Sequence, residues 1–331
     1  MKAVVFGASG MIGKYLIPAL LKNKYDVIAA DRTTNGSRKH YFSQLEVDSF
    51  QVDITKKEDF ENLPTNGIDI IIHLSGIMPA SMQGYSPEKY FIVNTIGTMN
   101  ILNYCREVSA KQIVYLTSHS DFAGYWGNGN PIDPYAPPKY CYGNDHSVYS
   151  VSKRAAVEVI KNAFEEFGIE YNIFRCPNIY AWDSPNEYYV DGVKRTVGWK
   201  KIIARAIKGE RLEIWGNSQN KRDLVYIKDL LQMILLSLKC PEKNNIFNVS
   251  NGTSSSLEEQ ILTIAKVFNP ASKKSEIVRC PEKQIHISNH HYDITNAVTV
   301  LGYKPQYFLY EMFEDMKKEM QLSNSNNLVI D

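Results

Sequence analysis

The stretch Val5-Phe6-Gly7-Ala8-Ser9-Gly10-Met11-Ile12-Gly13 decides the fold prediction. It leaves a short apolar run and enters a segment with helical spacing, which indicates a turn between a strand and a helix. In such a turn Gly7 permits the bend, Gly10 lets backbone approach a pyrophosphate, and Gly13 lets the helix pack on the strand. The N-terminus of the helix then offers N–H groups and the positive end of its dipole to phosphates. The spacing is G-x-x-G-x-x-G rather than G-x-G-x-x-G, and a tight turn without a ligand is the alternative reading.

A carboxylate follows at the end of the second apolar run. Asp31 lies close to the spacing, roughly 20 residues, at which an acidic residue accepts the ribose hydroxyls of a dinucleotide. A carboxylate there also repels a 2′-phosphate, so the sequence favours NAD over NADP. Arg32 comes next and offers the opposite choice, because a guanidinium can hold that phosphate. A turn or capping role for Asp31 is the remaining alternative.

Strand and helix signals alternate through the first half of the chain. Short apolar runs rich in β-formers and separated by helical segments are typical of a parallel sheet buried on both faces. We therefore predict an α/β fold, a Rossmann-type doubly wound parallel sheet with a smaller C-terminal region. The predicted strands are 3–6, 27–30, 50–52, 68–74, 113–116, 171–174 and 246–249. The predicted helices are 11–22, 88–108, 148–167 with Gly168 after its end, 200–208 and 230–238.

The pattern becomes less regular after about residue 177, where Tyr, Asp, Pro and Gly are frequent. The predicted division is a NAD-binding Rossmann domain at 1–176, which also receives 223–250, and a substrate-binding region at 177–222 and 251–331. Within that region, 251–256 is expected to be a polar loop and 322–331 a loose tail.

Composition limits the partners of the 331-residue chain. Lys and Arg number 37 against 36 Asp and Glu, which gives no electrostatic reason to expect nucleic acid or an anionic membrane. No uninterrupted apolar stretch approaches the length of a membrane span, and no signal peptide is expected at the start. The 5 cysteines are scattered, which is typical of free thiols in a reducing cytoplasm. His286, His290 and His291 are read as a surface loop, and no metal site is predicted.

A candidate acid–base pair opens the helix predicted at 148–167. Tyr149 and Lys153 lie four residues apart and so share one helix face. An ammonium beside a phenol stabilises the phenolate and lowers the pKa of the phenol. A tyrosinate of this kind can take a proton from a hydroxyl while hydride leaves the same carbon. Such pairs are common by chance, but this one follows the fifth strand of a predicted nucleotide-binding fold.

These segments resemble the extended short-chain dehydrogenases/reductases, in the group of NAD-dependent nucleotide-sugar epimerases and dehydratases. The resemblance runs through nearly the whole chain. Asp53-Ile54 is similar to the dipeptide that the family places at the adenine, and His73-Leu74-Ser75-Gly76 to its H-L-A-A segment. The segments 94–98, 175–180, 215–226 and 301–305 resemble N-x-x-G-T, R-x-x-N-V-Y, G…R-D-F-V and L-G-[WY]-x-P.

The resemblance and the motifs together give a set of expected site residues. The expected cofactor-binding residues are Gly7, Ser9, Gly10, Met11, Ile12, Gly13, Asp31, Arg32, Asp53, Ile54, Leu74, Ser75, Gly76, Asn94, Tyr149, Lys153 and Pro177. The expected substrate-binding residues are Ser120, Asn178, Trp215 and Arg222. Arg222 matches the family's phosphate-contacting arginine, with a salt bridge to Asp223 or Asp229 as the alternative. Trp215 is read either as a stacking partner for a base or as a core aromatic.

One catalytic position departs from the family. Counting back from Gly124, His119 stands where the family usually has the Ser or Thr that hydrogen-bonds the sugar oxygen. We expect either that His119 takes this role or that Ser118 or Ser120 does. The dehydratases' Asp-Glu pair falls on Ser120-Asp121, so half of that signature is absent, which argues against a dehydratase.

The resemblance implies an enzyme that inverts C4 of a nucleotide sugar, with a UDP-sugar favoured and NAD tightly bound. The alternatives are a dehydratase, a decarboxylase, a 4-ketosugar reductase and, from another class, a silent NAD-binding sensor or scaffold. It also implies a homodimer, paired through the helices predicted at 88–108 and 148–167. The apolar side chains named for this surface are Phe91, Ile101, Leu102, Val157, Ile160 and Phe164.

Overall fold

Seven parallel strands form the central sheet of the computed structural model, which describes residues 1–34, 37–143, 145–190, 192–217, 220–283 and 289–326. The strands of the described chain, both in this sheet and outside it, are β1 Lys2–Phe6, β2 Asp26–Asp31, β3 Asp48–Gln51, β4 Ile70–His73, β5 Gln112–Ser118, β6 Glu170–Cys176, β7 Asn178–Tyr180, β8 Glu187–Val190, β9 Val193–Thr196, β10 Leu212–Trp215, β11 Lys221–Arg222, β12 Leu224–Tyr226, β13 Asn245–Asn248, β14 Ser255–Ser256 and β15 Ile277–Cys280. The order across the sheet is β13-β6-β5-β4-β1-β2-β3. The predicted fold class is confirmed.

Helices cover both faces of this sheet. They are α1 Met11–Lys22, α2 Ser37–Gln44, α3 Pro87–Tyr90, α4 Gly97–Glu107, α5 Asp145–Phe167, α6 Gly198–Ile207, α7 Ile227–Lys239, α8 Leu257–Phe268, α9 Thr295–Leu301 and α10 Leu309–Asn326. Short 3₁₀ segments at Lys57–Asn62, Pro79–Ser81 and His119–Tyr125, and a π-helix at Phe91–Ile96, complete the regular structure. Within the described part of the chain, no helix combines the length and the apolar character that crossing a membrane requires.

The alternation of side chains along β1 explains why both faces are covered. Ala3 and Val5 point into one apolar core, and Val4 and Phe6 point into another, all at most 1% exposed. A strand buried on both sides reads as a continuous apolar run, as this one does. The strand order reverses at β1, which lies between β4 and β2. The carboxyl ends of the strands at such a switch point form a crevice where ligands bind in open α/β sheets.

The segment predicted as one helix at 88–108 is instead α3, the π-helix and α4 in succession. Single π-turns of this kind occur often at functional sites. The prediction that four of the apolar side chains lie on a dimer surface is wrong, because they are at most 5% exposed and belong to the core on one face of the sheet. They are Ile101, Leu102, Val157 and Ile160. The exposed apolar face of this segment, the 91–99 face, consists of Phe91, Ile92, Ile96 and Met99.

Two local expectations in the C-terminal half have different outcomes. The polar loop expected at 251–256 is confirmed through residue 254, after which Ser255–Ser256 form β14 and Ser256 caps α8 through a reciprocal bond with Glu259. Such a capping box satisfies two backbone donors at the helix start. The loose tail expected at 322–331 begins as helix, since α10 continues to Asn326. Burial of Met312 and Phe313 anchors this helix, and residues 327–331 lie outside the described residues.

Gly168 ends α5 as the sequence predicts, with φ +70° and its N–H bonded to the carbonyl of Phe164. A Cβ at this position meets no atom within 4 Å, so Gly168→Ala introduces backbone strain alone. We expect it to lower the free energy of unfolding by about 1–2 kcal/mol, measured by urea denaturation. Gly198→Ala at the first residue of α6, where φ is not positive, is the matched control and should cost nothing. Equal losses for both variants would contradict this account.

Candidate functional site

The glycine turn lies directly against the end of the neighbouring strand β4. Gly7 has φ +79°, and a Cβ there would lie 2.7 Å from the backbone N of Ser75. The N–H of Leu74 also donates to the carbonyl of Phe6 at 2.9 Å. At Gly13 a Cβ would lie 2.2 Å from the carbonyl oxygen of Ala8, so helix and turn touch through backbone. Only glycine fits these approaches.

This turn suits a dinucleotide pyrophosphate. Gly10 is the N-cap of α1, and it has no side chain with which to cap the N–H groups of the first turn. Ser9 and Gly10 are accessible at the helix start, and Met11 and Ile12 are half-buried against the core behind it. The N–H groups of the first turn of α1 lie at the positive end of the helix dipole, where an anion binds, and the residues present therefore fit the cofactor's phosphates.

Asp31 is held at the end of β2 beside the glycine turn. Its Oδ2 accepts the Ser9 N–H at 2.9 Å, and its Oδ1 lies 3.8 Å from Nη1 of Arg38. Arg32 is exposed on the following bend. The cation beside the carboxylate is thus Arg38, which the sequence reading missed because only the fold of α2 brings it there. The position of Asp31 suits a carboxylate that accepts ribose hydroxyls.

Asp53 and Ile54 follow β3, which lies two strands away from β1 in the sheet. The Asp53 carboxylate accepts the amide and the hydroxyl of Thr55, at 3.0 and 2.8 Å. Ile54 packs on Gly97, where a Cβ would lie 2.7 Å from the Ile54 Cδ1. The dipeptide is therefore fixed by its own turn and by the start of α4.

The loop after β4 joins the glycine turn to the helix that carries the acid–base pair. Asn94, in the π-helix, bonds the backbone of Ile77 through both side-chain atoms, at 2.9 and 3.1 Å, and donates to Ser152 at 3.1 Å. A Cβ at Gly76 would lie 3.1 Å from Asn94 Oδ1 and 3.7 Å from Nζ of Lys153. The structure thus brings Leu74, Ser75, Gly76, Asn94 and Lys153 to one edge.

Tyr149 and Lys153 lie one turn apart on α5, and each has its own polar partner. Lys153 Nζ donates to the carbonyl of Leu116 at 2.7 Å and lies 4.2 Å from the centre of the Tyr115 ring. Burial lowers the pKa of Lys153 to about 7. Burial also raises the pKa of Tyr149 to about 12, against the opposing effect of a hydrogen bond with Ser118. In this arrangement the pKa of the phenol is raised rather than lowered, because desolvation outweighs the hydrogen bond.

Three serines extend from the phenol. Ser118 Oγ lies 2.9 Å from Ser120 Oγ, and Ser150 Oγ lies 2.7 Å from Ser120 Oγ. Ser120 is 8% and Ser150 2% exposed. The role of Ser150 escaped the sequence reading, because nothing in the spacing places it against the turn after β5. The candidates for the hydrogen-bond donor beside Tyr149 were His119, Ser118 and Ser120. The hydrogen bond between Ser118 and the phenol favours Ser118.

His119 points into a separate group of aromatic rings. Its Nδ1 lies 2.7 Å from the hydroxyl of Tyr292, which also accepts the indole N–H of Trp126 at 3.1 Å. The ring centre of His119 lies 5.1 Å from that of Trp126 and 5.3 Å from that of His290. Burial lowers the pKa of His119 well below its ordinary value, so the imidazole is neutral near pH 7. Within the described residues the contacts of His119 are with Tyr292, Trp126 and His290 and not with Tyr149.

Asp121 is committed to a buried ion pair. Its two carboxylate oxygens accept hydrogen bonds from Nε and Nη2 of Arg175 at 3.1 and 3.2 Å, and both side chains are at most 2% exposed. Arg175 also donates to the carbonyl of Pro134 at 2.7 Å. Burial raises the pKa of Asp121, while Arg175 opposes that rise. Removing either partner would leave an uncompensated buried charge.

The candidate substrate residues are spread along the C-terminal side. Pro177 is buried after β6, and Asn178 is exposed at the start of β7. Arg222 Nη2 donates to the Tyr180 hydroxyl at 3.3 Å, and its buried Nε has no partner among the described residues. Trp215 is 42% exposed and bonded to Glu213, so the core-aromatic reading is wrong. In the described part of the chain its side chain contacts Glu213 and Lys283 and not the Tyr149 edge.

Neither carboxylate proposed as an alternative partner of Arg222 pairs with it in the described part of the chain. Asp229 accepts the amides of Gln306 and Tyr307 at 3.0 and 3.1 Å. Asp223 is fully buried and accepts the Tyr292 N–H at 2.8 Å and bonds to His291 Nδ1 at 3.1 Å.

The surface-loop prediction is wrong for His290. His290 is 8% exposed, because its backbone bridges to Arg222 and its ring packs on Trp126 at 5.2 Å. His291 is half-buried on Asp223, and His286 lies outside the described residues. Within those residues no group of three or more His, Cys, Asp or Glu is placed to hold a metal ion.

Residues 3–250 match the model of the NAD dependent epimerase/dehydratase family. The chain belongs to this family. Over 326 residues it is 27% identical to a putative UDP-glucose 4-epimerase of Methanocaldococcus jannaschii, covering 98% of this chain and 99% of that protein. Identity to the Arabidopsis thaliana UDP-glucuronic acid decarboxylase 5 is also 27%, covering 97% and 90%.

A solved structure shows the same fold. The UDP-glucose 4-epimerase of Thermotoga maritima superposes with a TM-score of 0.79 at 19% identity, covering 98% of this chain and 100% of that one. Family membership confirms the predicted resemblance, NAD as the cofactor and an enzyme rather than a silent binding protein. It does not separate epimerisation from decarboxylation, since relatives of both kinds are equally similar.

The Asp223–His291 pair behind Arg222 makes stability depend on pH. Burial alone would raise the pKa of Asp223, but hydrogen bonds from His291 and others hold it below its ordinary value, and the same bond raises the pKa of His291. A carboxylate whose pKa is lowered by folding stabilises the folded state above the pKa that it has in the unfolded chain. An imidazole whose pKa is raised by folding stabilises the folded state below its own unfolded pKa. Both contributions are therefore fully present between about pH 4 and pH 6.5.

We expect His291→Gln to lower the free energy of unfolding by about 1 kcal/mol near the middle of that window and by less at alkaline pH, since solvent screens a partly exposed pair. Urea denaturation at both pH values measures the difference. His40→Gln, at an exposed position on α2, is the control and should show no such pH dependence. A loss that is independent of pH would contradict the charge-pair account.

Proposed function

We propose that this protein is a NAD-dependent nucleotide-sugar epimerase that inverts C4 of a UDP-sugar through a transient 4-keto sugar. The observation that carries the proposal is the hydrogen bond between Tyr149 and Ser118 at the carboxyl end of β5, beside the edge formed by Gly76, Asn94 and Lys153. A base and a hydroxyl donor that converge next to the cofactor turn are what oxidation of a secondary alcohol needs.

Each residue has a distinct role in this proposal. Tyr149 takes the proton from the sugar hydroxyl and returns it, and Ser118 donates a hydrogen bond to the same oxygen. Lys153, held by the Leu116 carbonyl, supplies positive charge at the cofactor edge when it is protonated. NAD, when bound on the glycine turn with its ribose at Asp31, supplies the hydride acceptor and donor.

Asp121 supports epimerisation over dehydration. A dehydratase needs a carboxyl group free to deliver a proton to the leaving hydroxyl, whereas this carboxylate is held by Arg175. Ser120, the neighbouring position of that pair, has only a hydroxyl. Decarboxylation is the second candidate, because the similarity to the Arabidopsis decarboxylase equals that to the archaeal epimerase.

The test is a panel of UDP-sugars and other nucleotide sugars incubated with purified protein and no added NADH, with products identified by NMR. An inverted C4 supports the proposal, and carbon dioxide release from a UDP-uronate would establish the decarboxylase. Stoichiometric consumption of NAD(P)H would indicate a 4-ketosugar reductase. Absence of any product and of any NADH-like absorbance across the panel would refute the epimerase.

The division into parts, the location and the assembly are further proposals. We assign 1–176 with 223–250 to the cofactor unit and 177–222 with 251–331 to the substrate unit, supported by the place of β13 at the edge of the sheet. Unpaired thiols at all 5 cysteines favour a reducing, cytoplasmic location.

We propose that the 91–99 face pairs two copies of the chain about a two-fold axis. Its four side chains are 39–48% exposed, and a contiguous apolar face on one helix suits a self-complementary interface. Light scattering should give about twice the 37.7 kDa of the chain, and Ile96→Glu should give the monomer. Val298→Glu, at an equally exposed apolar position on α9, is the control. A monomeric unmodified protein at micromolar concentration would disprove the dimer.

A pair of variants distinguishes whether Ser118 or His119 donates to the sugar oxygen. Ser118→Ala removes the donor to the sugar oxygen and the bond that lowers the pKa of Tyr149, so turnover should fall roughly a hundredfold and the acidic limb of the pH profile should move to higher pH. His119→Ala leaves that donor in place and should lose less. A hundredfold loss in His119→Ala with full activity in Ser118→Ala would assign the role to the histidine.

Arg222 is proposed to hold the diphosphate of the substrate with its unpartnered guanidinium nitrogen. Arg222→Ala should raise the dissociation constant of the nucleotide sugar at least tenfold and leave that of NAD unchanged, as measured by calorimetry. Lys221→Ala removes a cation from the adjacent exposed position and is the matched control. Equal effects of the two variants would assign the loss to general charge.

A further inference from the structure

A chain of hydroxyls leads from Tyr149 into the protein. The phenol bonds to Ser118, Ser118 Oγ lies 2.9 Å from Ser120 Oγ, and Ser120 Oγ lies 2.7 Å from Ser150 Oγ. The chain ends at the carbonyl of His146, which lies 2.6 Å from Ser150 Oγ. We call Ser118, Ser120 and Ser150 the serine relay.

The hydrogen bonds of the serine relay have two possible arrangements, which differ in direction. Each serine hydroxyl has one hydrogen and can donate one bond at a time. Ser150 nevertheless has two acceptors within reach, Ser120 Oγ and the His146 carbonyl, and the bond between Ser118 and Ser120 can run in either direction. When the phenol donates to Ser118, every hydrogen points away from Tyr149 and the last lies on the His146 carbonyl. When the phenol is ionised, every hydrogen can point towards it.

We propose that the serine relay reverses its hydrogen bonds when Tyr149 loses its proton, and that Ser120 and Ser150 thereby stabilise the tyrosinate without touching the substrate. The proposal rests on the proposed role of Tyr149 as the base. Each step is a rotation about a C–O bond, and no bond to hydrogen breaks within the serines. Ser120 and Ser150 are therefore positioning residues that act through Ser118.

Burial determines how strongly the serine relay can stabilise the tyrosinate. Desolvation opposes an ionised phenol, and Lys153 donates to the Leu116 carbonyl. Hydrogen bonds to an ionised acceptor are roughly twice as strong as neutral ones, and bonds in a chain strengthen one another by about 10–30%. The reversed relay therefore favours the tyrosinate more than the forward relay favours the phenol. Ser120 and Ser150 are both buried, so water does not compete for their bonds.

Other titratable groups around the phenol stay the same in the variants that test this. From the elements packed against α5, they are Tyr90 of α3, Tyr115 of β5, Asp121 of the 3₁₀ turn and Cys176 of β6. Tyr90, Asp121 and Cys176 each raise the pKa of Tyr149. Lys153 and His146 belong to α5 itself. Loss of a relay hydroxyl changes none of these side chains, so a shift in the titration reports the relay.

The experiment titrates Tyr149 in the NAD-loaded protein. Tyrosine labelled with ¹³C at Cζ reports ionisation by NMR, and Tyr149→Phe assigns the resonance. The acidic limb of kcat/KM for the sugar reaction is the second readout. Ser150→Ala should move both to higher pH by about half a unit and Ser120→Ala by about one unit, as expected for losing part of a charge-assisted chain. Ser150→Thr retains the hydroxyl and should titrate as the unmodified protein does.

Ser237→Ala is the matched control. This serine is fully buried on α7, bonds only the carbonyl of Ile234 through its hydroxyl, and lies outside the relay. Unchanged titration in both Ser120→Ala and Ser150→Ala would overturn the proposal, as would an equal shift in Ser237→Ala or in Ser150→Thr. A Tyr149 that stays protonated up to alkaline unfolding would overturn it too. The NMR titration needs no substrate, so it decides the relay even if no nucleotide sugar reacts.

Discussion

The contact between the glycine turn and the end of β4 is the constraint on which the rest of the site depends. The missing side chain of Gly7 lets the turn after β1 press against the backbone of Ser75. That approach sets where the loop after β4 runs, and this loop in turn meets Asn94 and Lys153. The cofactor turn and the acid–base helix are thus joined through this loop, by backbone contact at Ser75 and by the side chains of Asn94 and Lys153 at Gly76.

Burial governs the chemistry at this edge more than pairwise charge does. The pKa of Lys153 is lowered and that of Tyr149 is raised, both chiefly by desolvation. In a dry site every remaining hydrogen bond carries more weight. Hydroxyls and a backbone carbonyl, rather than an array of ions, therefore provide the polar partners of the phenol and the amine.

Local patterns predicted the fold and the two ends of the site well. Apolar runs, the glycine turn and the Tyr149–Lys153 spacing each express a rule confined to a few neighbouring residues. Counting along the chain could not choose between Ser118 and His119, because the choice depends on how the 3₁₀ turn at His119–Tyr125 rotates successive side chains. The burial of His290 and the approach of Arg38 to Asp31 depend on segments far apart in sequence, so no local pattern contains them.

The buried pair of Asp121 and Arg175 bears on how this scaffold can acquire new reactions. Ser120 is buried among the hydroxyls of Ser118 and Ser150, so an acid placed there would be desolvated next to a carboxylate that Arg175 already holds. Desolvation and the neighbouring negative charge would both raise the pKa of the added carboxyl and favour its protonated form. The ion pair thus allows this one position on the turn after β5 to exchange a neutral hydroxyl for a protonated acid while Asp121 remains paired with Arg175.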